Sequence, residues 1–162
     1  MDLYITDLYP SELFINDGDG TFTAIGEASG VDDTGMTWGC AWFDYDNDSE
    51  TDLYVVNDYA FAAYPNLLYR GLGGLAFEIT STGIPDLEHP FQDYGMAQGD
   101  LDGDGDLDVA IATSGSSIQP GFTVLENLNT TGHAAHIRLE GTVSNRDAIG
   151  ARVTAYFDDQ VR

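Results

Sequence analysis

Two acidic nonapeptides, Asp44-Tyr-Asp-Asn-Asp-Ser-Glu-Thr-Asp52 and Asp100-Leu-Asp-Gly-Asp-Gly-Asp-Leu-Asp108, constrain this chain more than any other feature. Each places carboxylates at positions 1, 3, 5 and 9 of a loop and then runs directly into a short apolar segment. Asp52-Leu-Tyr-Val-Val-Asn57 and Asp108-Val-Ala-Ile-Ala-Thr113 carry the β-branched and apolar residues of strands buried on both faces. No segment shows the 3.6-residue apolar periodicity of a helix-length amphipathic element. The expected fold class is therefore all-β.

Four carboxylates crowded into one loop repel by roughly 4 kcal/mol per pair at about 4 Å and an effective dielectric near 20. A folded loop of this composition calls for a hard cation with oxygen ligands. Calcium accepts six to eight oxygens in loose geometry, whereas magnesium demands a near-octahedral shell and retains its waters. The expected ligands are the side chains of Asp44, Asp46, Asp48 and Asp52 in the first loop and of Asp100, Asp102, Asp104 and Asp108 in the second. A backbone carbonyl from position 7, Glu50 or Asp106, completes each set, with its side chain turned outward. The second loop has Gly105 at its sixth position where the first has Ser49. Glycine enters the left-handed region at no steric cost, so the second site is expected to be the tighter.

An internal repeat surrounds the loops. Trp38-Gly-Cys-Ala-Trp-Phe-Asp44 aligns without a gap to Tyr94-Gly-Met-Ala-Gln-Gly-Asp100, an offset of 56 residues. Met1-Asp-Leu-Tyr-Ile-Thr6 matches Thr51-Asp-Leu-Tyr-Val-Val56, which makes Asp2 the last acid of a loop whose earlier members are missing. Downstream, Glu12-Leu-Phe-Ile-Asn16 and Thr21-Phe-Thr23 correspond to Leu67-Leu-Tyr-Arg70 and Ala76-Phe-Glu78, each pair separated by glycines. One unit thus reads strand, acidic loop, strand, variable connection, strand, glycine hairpin, strand. Four strands in about 50 residues make a propeller blade.

The Asp-x-Asp-x-Asp-x-x-x-Asp-Leu signature, its upstream aromatic-glycine pair, and Leu-Tyr-Arg or Leu-Phe-Ile-Asn ahead of a glycine hairpin resemble the FG-GAP or VCBS repeat of integrin-α-like β-propellers. The resemblance covers residues 1–129. It implies about two and a half four-stranded blades, two calcium sites at the acids named above, and a fragment of a longer ring whose remaining blades lie outside this chain. From His133 the text changes. His136-Ile-Arg-Leu-Glu-Gly141 reads as a strand, and Ser144-Asn-Arg-Asp-Ala-Ile-Gly-Ala-Arg-Val153 leads into another that ends at Phe157. Residues 133–162 are similar to the N-terminal part of an ASPIC/UnbV domain, which commonly follows VCBS repeats in secreted acidic proteins. No catalytic role is carried over to them, and Asn145, Arg146, Asp147 and Arg152 read as a turn held by an Arg-Asp pair.

Charge narrows the partners. The chain has 28 acidic against 5 basic residues, a formal charge of −23 over 162 residues. Such a charge opposes binding to nucleic acid or to anionic membrane. Disorder is excluded by 43% hydrophobic and 12% aromatic content. Cys40 is the single cysteine, aligned with Met96, and reads as a small core residue. No signal peptide or membrane span is visible. Export to an extracellular, cell-surface or periplasmic setting is inferred from the resemblance and the calcium chemistry.

No nucleophile elbow or phosphate loop is present. His89, His133 and His136 have no acidic or nucleophilic partner nearby in sequence, and two histidines three apart on a strand point to opposite faces. The expected function is a calcium-binding adhesion or recognition scaffold, not an enzyme. The alternative is part of a secreted lyase or hydrolase whose active site lies outside this fragment. The connections Asp58-Tyr64 and Pro85-Phe91, rich in Tyr, Phe and Pro, are the expected rim loops for an unidentified protein or glycan partner.

Overall fold

The structure, a computed structural model, describes residues 2–8, 10–58, 64–82, 84, 87, 91–115, 118–129, 137–143, 145–154, 156–157 and 160–161. Within them the chain is all-β. The first sheet has three antiparallel strands, β1 (Leu3–Ile5), β2 (Glu12–Asn16) and β3 (Phe22–Ala24), in that order. A four-residue helix, α1 (Gly26–Ser29), leads to the second sheet, with β4 (Thr37–Phe43), β5 (Asp52–Asn57), β6 (Leu67–Gly71) and β7 (Phe77–Ile79) again in chain order. The third sheet holds β8 (Gln92–Gly99), β9 (Asp108–Gly115) and β10 (Ile118–Leu125). A short hairpin pairs β11 (Tyr156–Phe157) with β12 (Gln160–Val161). The second sheet is the complete four-stranded meander anticipated from the repeat. The three main sheets form a partial β-propeller-like stack.

β5 explains how the sheets pack. All six of its residues are buried, and its side chains alternate between two cores. Leu53 and Val55 join Leu13, Val31 and Tyr69 against the first sheet. Tyr54 and Val56 join Ala41, Phe43, Leu68, Val109 and Ile111 against the third. β4 and β6 divide in the same way: Cys40, Trp42 and Tyr69 face one side, and Ala41, Phe43 and Leu68 the other. Burying each large apolar side chain contributes about 1.5–3 kcal/mol, so this strand is the hub of the fold.

β9 departs from the expectation that it would be buried on both faces. Val109, Ile111 and Thr113 are buried, but Ala112 on the opposite face is exposed. Among the described residues, no sheet covers that face, and an apolar run alone cannot say on how many sides a strand will find neighbours.

The aromatic-glycine pairs mark matching irregularities. Register shifts fall between Thr37 and Gly39 in β4 and between Asp93 and Gly95 in β8, leaving Trp38 and Tyr94 as the extra residues. Such bulges re-aim a side chain. Both rings are turned to the surface, where they meet edge-on with centroids 5.6 Å apart. A Cβ on Gly39 would sit 3.1 Å from both Tyr94 O and Val56 Cγ2, so glycine there lets β4 approach β8 closely.

Buried polar residues tie the same ends of the strands together. Thr37 faces Asn57 across β4 and β5, and Asp93 faces Thr113 across β8 and β9. Asn57 Nδ2 donates to Asp33 Oδ2 at 2.8 Å, Asn66 Nδ2 to Asp93 Oδ2 at 2.7 Å, and Thr113 Oγ1 to Asp93 Oδ1 at 2.8 Å. Each side-chain oxygen and nitrogen of Asp33, Asn57, Asn66 and Asp93 makes a bond within or beside this network, as buried polar groups require.

In the C-terminal stretch, residues 137–141 form no strand, contrary to the expectation for 136–141. An extended alternating run becomes a strand only when an edge is available to pair with it. Arg146 meets Glu140, with Nε 3.6 Å from Oε1, where an Arg-Asp pair had been expected. Asn145 holds the turn instead, accepting from Ile149 N at 2.7 Å and donating to Ile149 O at 3.1 Å. His89, His133, His136 and Ser144, and most of the two expected rim loops (59–63, and 85, 86 and 88–90), lie outside the described residues.

Candidate metal centres

The two acidic loops join β4 to β5 and β8 to β9, and they fold alike. Asp44 Oδ2 accepts from Ser49 N at 2.8 Å, and Asp100 Oδ2 accepts from Gly105 N at 3.2 Å. Asp48 Oδ1 accepts from Glu50 N at 2.8 Å, and Asp104 Oδ1 accepts from Asp106 N at 2.9 Å. The first acid of each loop thus curls the backbone around itself, and the third closes the following turn.

The conformation demanded at the fourth and sixth loop positions is left-handed. Gly103 and Gly105 have φ of 84° and 102°, and Asn47 and Ser49 adopt φ of 58° and 76° at the equivalent places. A residue with a Cβ loses roughly 1–2 kcal/mol in that region, asparagine less than most. Ser49→Gly is therefore expected to stabilise the protein by about 0.5–1 kcal/mol after the entropic cost of glycine, while Ser49→Ala gains nothing. Urea unfolding with an unchanged slope checks this. A destabilised Ser49→Gly variant would show that the serine side chain contributes more than its backbone strain removes.

The structure gathers the acids into two clusters. Ligand oxygens of Asp44, Asp46 and Asp48 lie within 4.8 Å of one another, as do those of Asp100, Asp102 and Asp108. Three convergent carboxylates make each donor set hard, anionic and oxygen-only, which fits a divalent cation such as calcium. Asp52 and Asp104 stand outside these groupings. Glu50 is exposed, as expected for position 7, but Asp106 is not: it is buried and its Oδ1 accepts from Asn47 Nδ2 at 2.7 Å. That bond joins the two loops directly. A second link runs from Asn127 Nδ2 to Tyr45 O at 2.8 Å.

The last acid of each loop has a role that its spacing alone did not disclose. Asp52 Oδ2 accepts from Tyr45 N and Oδ1 from Gly71 N, both at 2.8 Å. Asp108 repeats this with Leu101 N and Asn127 N, again both at 2.8 Å. Asp2 Oδ1 takes the corresponding bond from Asn16 N at 2.9 Å. Asp52 and Asp108 thus clasp their own loops to Gly71, the last residue of β6, and to Asn127, just past β10. Burial pushes the Asp52 carboxyl up to about 6; repulsion from Asp46 and Asp44 adds to that, and the two N–H groups oppose it.

Arg70, noted in the sequence only as part of Leu-Tyr-Arg, enters the first loop. Its Nε lies 2.8 Å from Asp46 Oδ2 and its Nη2 2.7 Å from Asp48 Oδ2. The Glu50 N–H and then the guanidinium hold Asp48 below the usual carboxylate range. The contact could have been anticipated only from the repeat, which places Arg70 one residue before the clasped Gly71.

These sheets and loops define a β-propeller repeat module with two acidic clusters that could hold a metal ion. The family model of the FG-GAP-like repeat matches residues 1–55, which takes in the first sheet, β4, the first acidic loop and the start of β5. The second loop reproduces the same bonds 56 residues further on. No curated protein matches the chain.

Proposed function

We propose that both loops bind calcium and that the module serves as an extracellular recognition scaffold, not as an enzyme. The observation that carries this reading is the pair of three-carboxylate clusters, each mounted on the entrance to a strand of the blade interior. Asp44, Asp46 and Asp48 would hold one ion, and Asp100, Asp102 and Asp108 the other. Bound calcium would supply positive charge that relieves carboxylate repulsion. The chain's own residues do the rest: Asp44 and Asp100 wind the turns, and Asp52 and Asp108 seat them on the blades.

The FG-GAP-like match supports the propeller setting. The charge of −23 favours a calcium-rich, exported location and disfavours nucleic acid as a partner. No helix among the described residues is long and apolar enough to cross a membrane. In this reading further blades complete the ring, residues 133–162 begin an ASPIC/UnbV-like domain, and an exposed rim receives a protein or glycan.

Calorimetry tests the ion. The parent should take up calcium at two sites, with affinities on the order of 0.1–1 mM, typical of extracellular modules. The second site should be the tighter. Asp102→Asn keeps an oxygen for the Asp104 N–H at 3.1 Å but removes the charge, so it should eliminate the tighter phase, and Asp46→Asn the weaker. Absence of calcium heat in the parent would refute the reading.

A further inference from the structure

Resting on the calcium reading, we infer that Arg70 is a built-in counter-cation of the first loop that competes with calcium there and makes the two sites unequal. The guanidinium spans two separate carboxylates, Asp46 at 2.8 Å and Asp48 at 2.7 Å, both members of the first cluster. A carboxylate oxygen engaged by a guanidinium is a poorer ligand for a metal. The positive charge beside it also opposes a second cation.

Arg70 is held in place by the fold. It precedes Gly71, whose N–H is clasped by Asp52, and it pairs across the sheet with Glu78 of β7. Its backbone therefore stays beside the loop whether or not the side chain is engaged, and the guanidinium can withdraw without unfolding the blade. At the matching place in the third sheet, one residue before the clasped Asn127, stands Glu126. In the first sheet the residue before Asn16 is Ile15. One architecture thus carries arginine, glutamate and isoleucine at the same register. At this register the first loop faces a cation, whereas the second has the carboxylate residue Glu126.

The second loop is then the standing site, filled first. The first loop fills only when calcium displaces the guanidinium, so its apparent affinity falls in proportion to the fraction of molecules in which Arg70 is withdrawn. In calcium-free protein the same contact offsets part of the repulsion among Asp44, Asp46 and Asp48.

The test uses the full chain with Asp102→Asn silencing the second loop, and compares Arg70 with Arg70→Met, which keeps an apolar stem without the charge. Arg70→Gln and Arg70→Lys serve as companions. Calcium titration should show about fivefold to tenfold tighter binding to the first loop in the Met and Gln variants, with Lys near the parent. In EDTA the Met and Gln variants should melt below the parent, and saturating calcium should close that gap. Unchanged or weaker calcium binding in both would overturn the inference, since Arg70 would then be a bystander or a support for the ligands. The calcium reading itself stands or falls on the unsubstituted protein: uptake at its second loop upholds it whatever Arg70 does, and no uptake at any concentration overturns both.

Discussion

Chelation is expected to lower the thermal midpoint of this protein by about 5–11 °C, the largest change that removal of a small ligand should produce. A single site held at 100 times its dissociation constant adds about 2.7 kcal/mol to the folded state. For a chain of this length each kcal/mol is worth about 2–4 °C. The second loop alone accounts for the estimate, because Arg70 already supplies a counter-charge to the first. The gain has a structural route: the second loop opens onto β9, whose Val109 and Ile111 share a core with Tyr54 and Val56 of β5, so a loop that springs apart loosens the hub of the fold. Melting in EDTA and in calcium at about 100 times the dissociation constant found by calorimetry, on the order of 10 mM for a 0.1 mM site, decides the point. Equal midpoints would mean that the acidic loops hold their shape without any ion.

Asp108→Ala is expected to cost about 3–5 kcal/mol, and to do so in EDTA, where no metal contributes. Asp108 is 2% exposed, and its two carboxylate oxygens receive the Leu101 and Asn127 N–H groups. Truncation leaves both donors without an acceptor, at about 1–3 kcal/mol each, and opens a small void as well. Asp108→Asn should lie between, because its carbonyl serves one N–H while its amide opposes the other. Urea unfolding of these variants beside Asp102→Asn separates clasp from ligand. Asp102 is exposed, so its neutralisation in EDTA should leave stability within about 0.5 kcal/mol of the parent. If Asp108→Ala were equally mild, the clasp would have no structural weight.

The acid spacing at 44–52 and 100–108 was sufficient to foretell two equivalent loops, and the matching aromatic, glycine and apolar positions to foretell the four-strand unit that the second sheet completes; the first and third sheets have three strands each among the described residues. Periodicity and loop chemistry are local, so they survive in a linear text. The same text overstated the burial of β9 and promised a strand at 136–141 that the described residues do not form. Both depend on whether a neighbouring surface exists, which no local pattern records.

What the sequence determined by itself was the kind of site and the kind of fold: clustered carboxylates on tight turns, leading into strands too apolar to remain in water. Tertiary structure alone decided which acids meet. The clasps reach 19 residues forward, from Asp52 to Gly71 and from Asp108 to Asn127. Asn47 finds Asp106 across 59 residues, and Arg70 finds Asp46 and Asp48 from the next strand but one. Those partners are chosen by strand register and blade stacking. Because hydrogen bonds and ion pairs act only over a few ångströms, the division of labour between ligand, clasp and counter-cation becomes visible only once the sheets are in place.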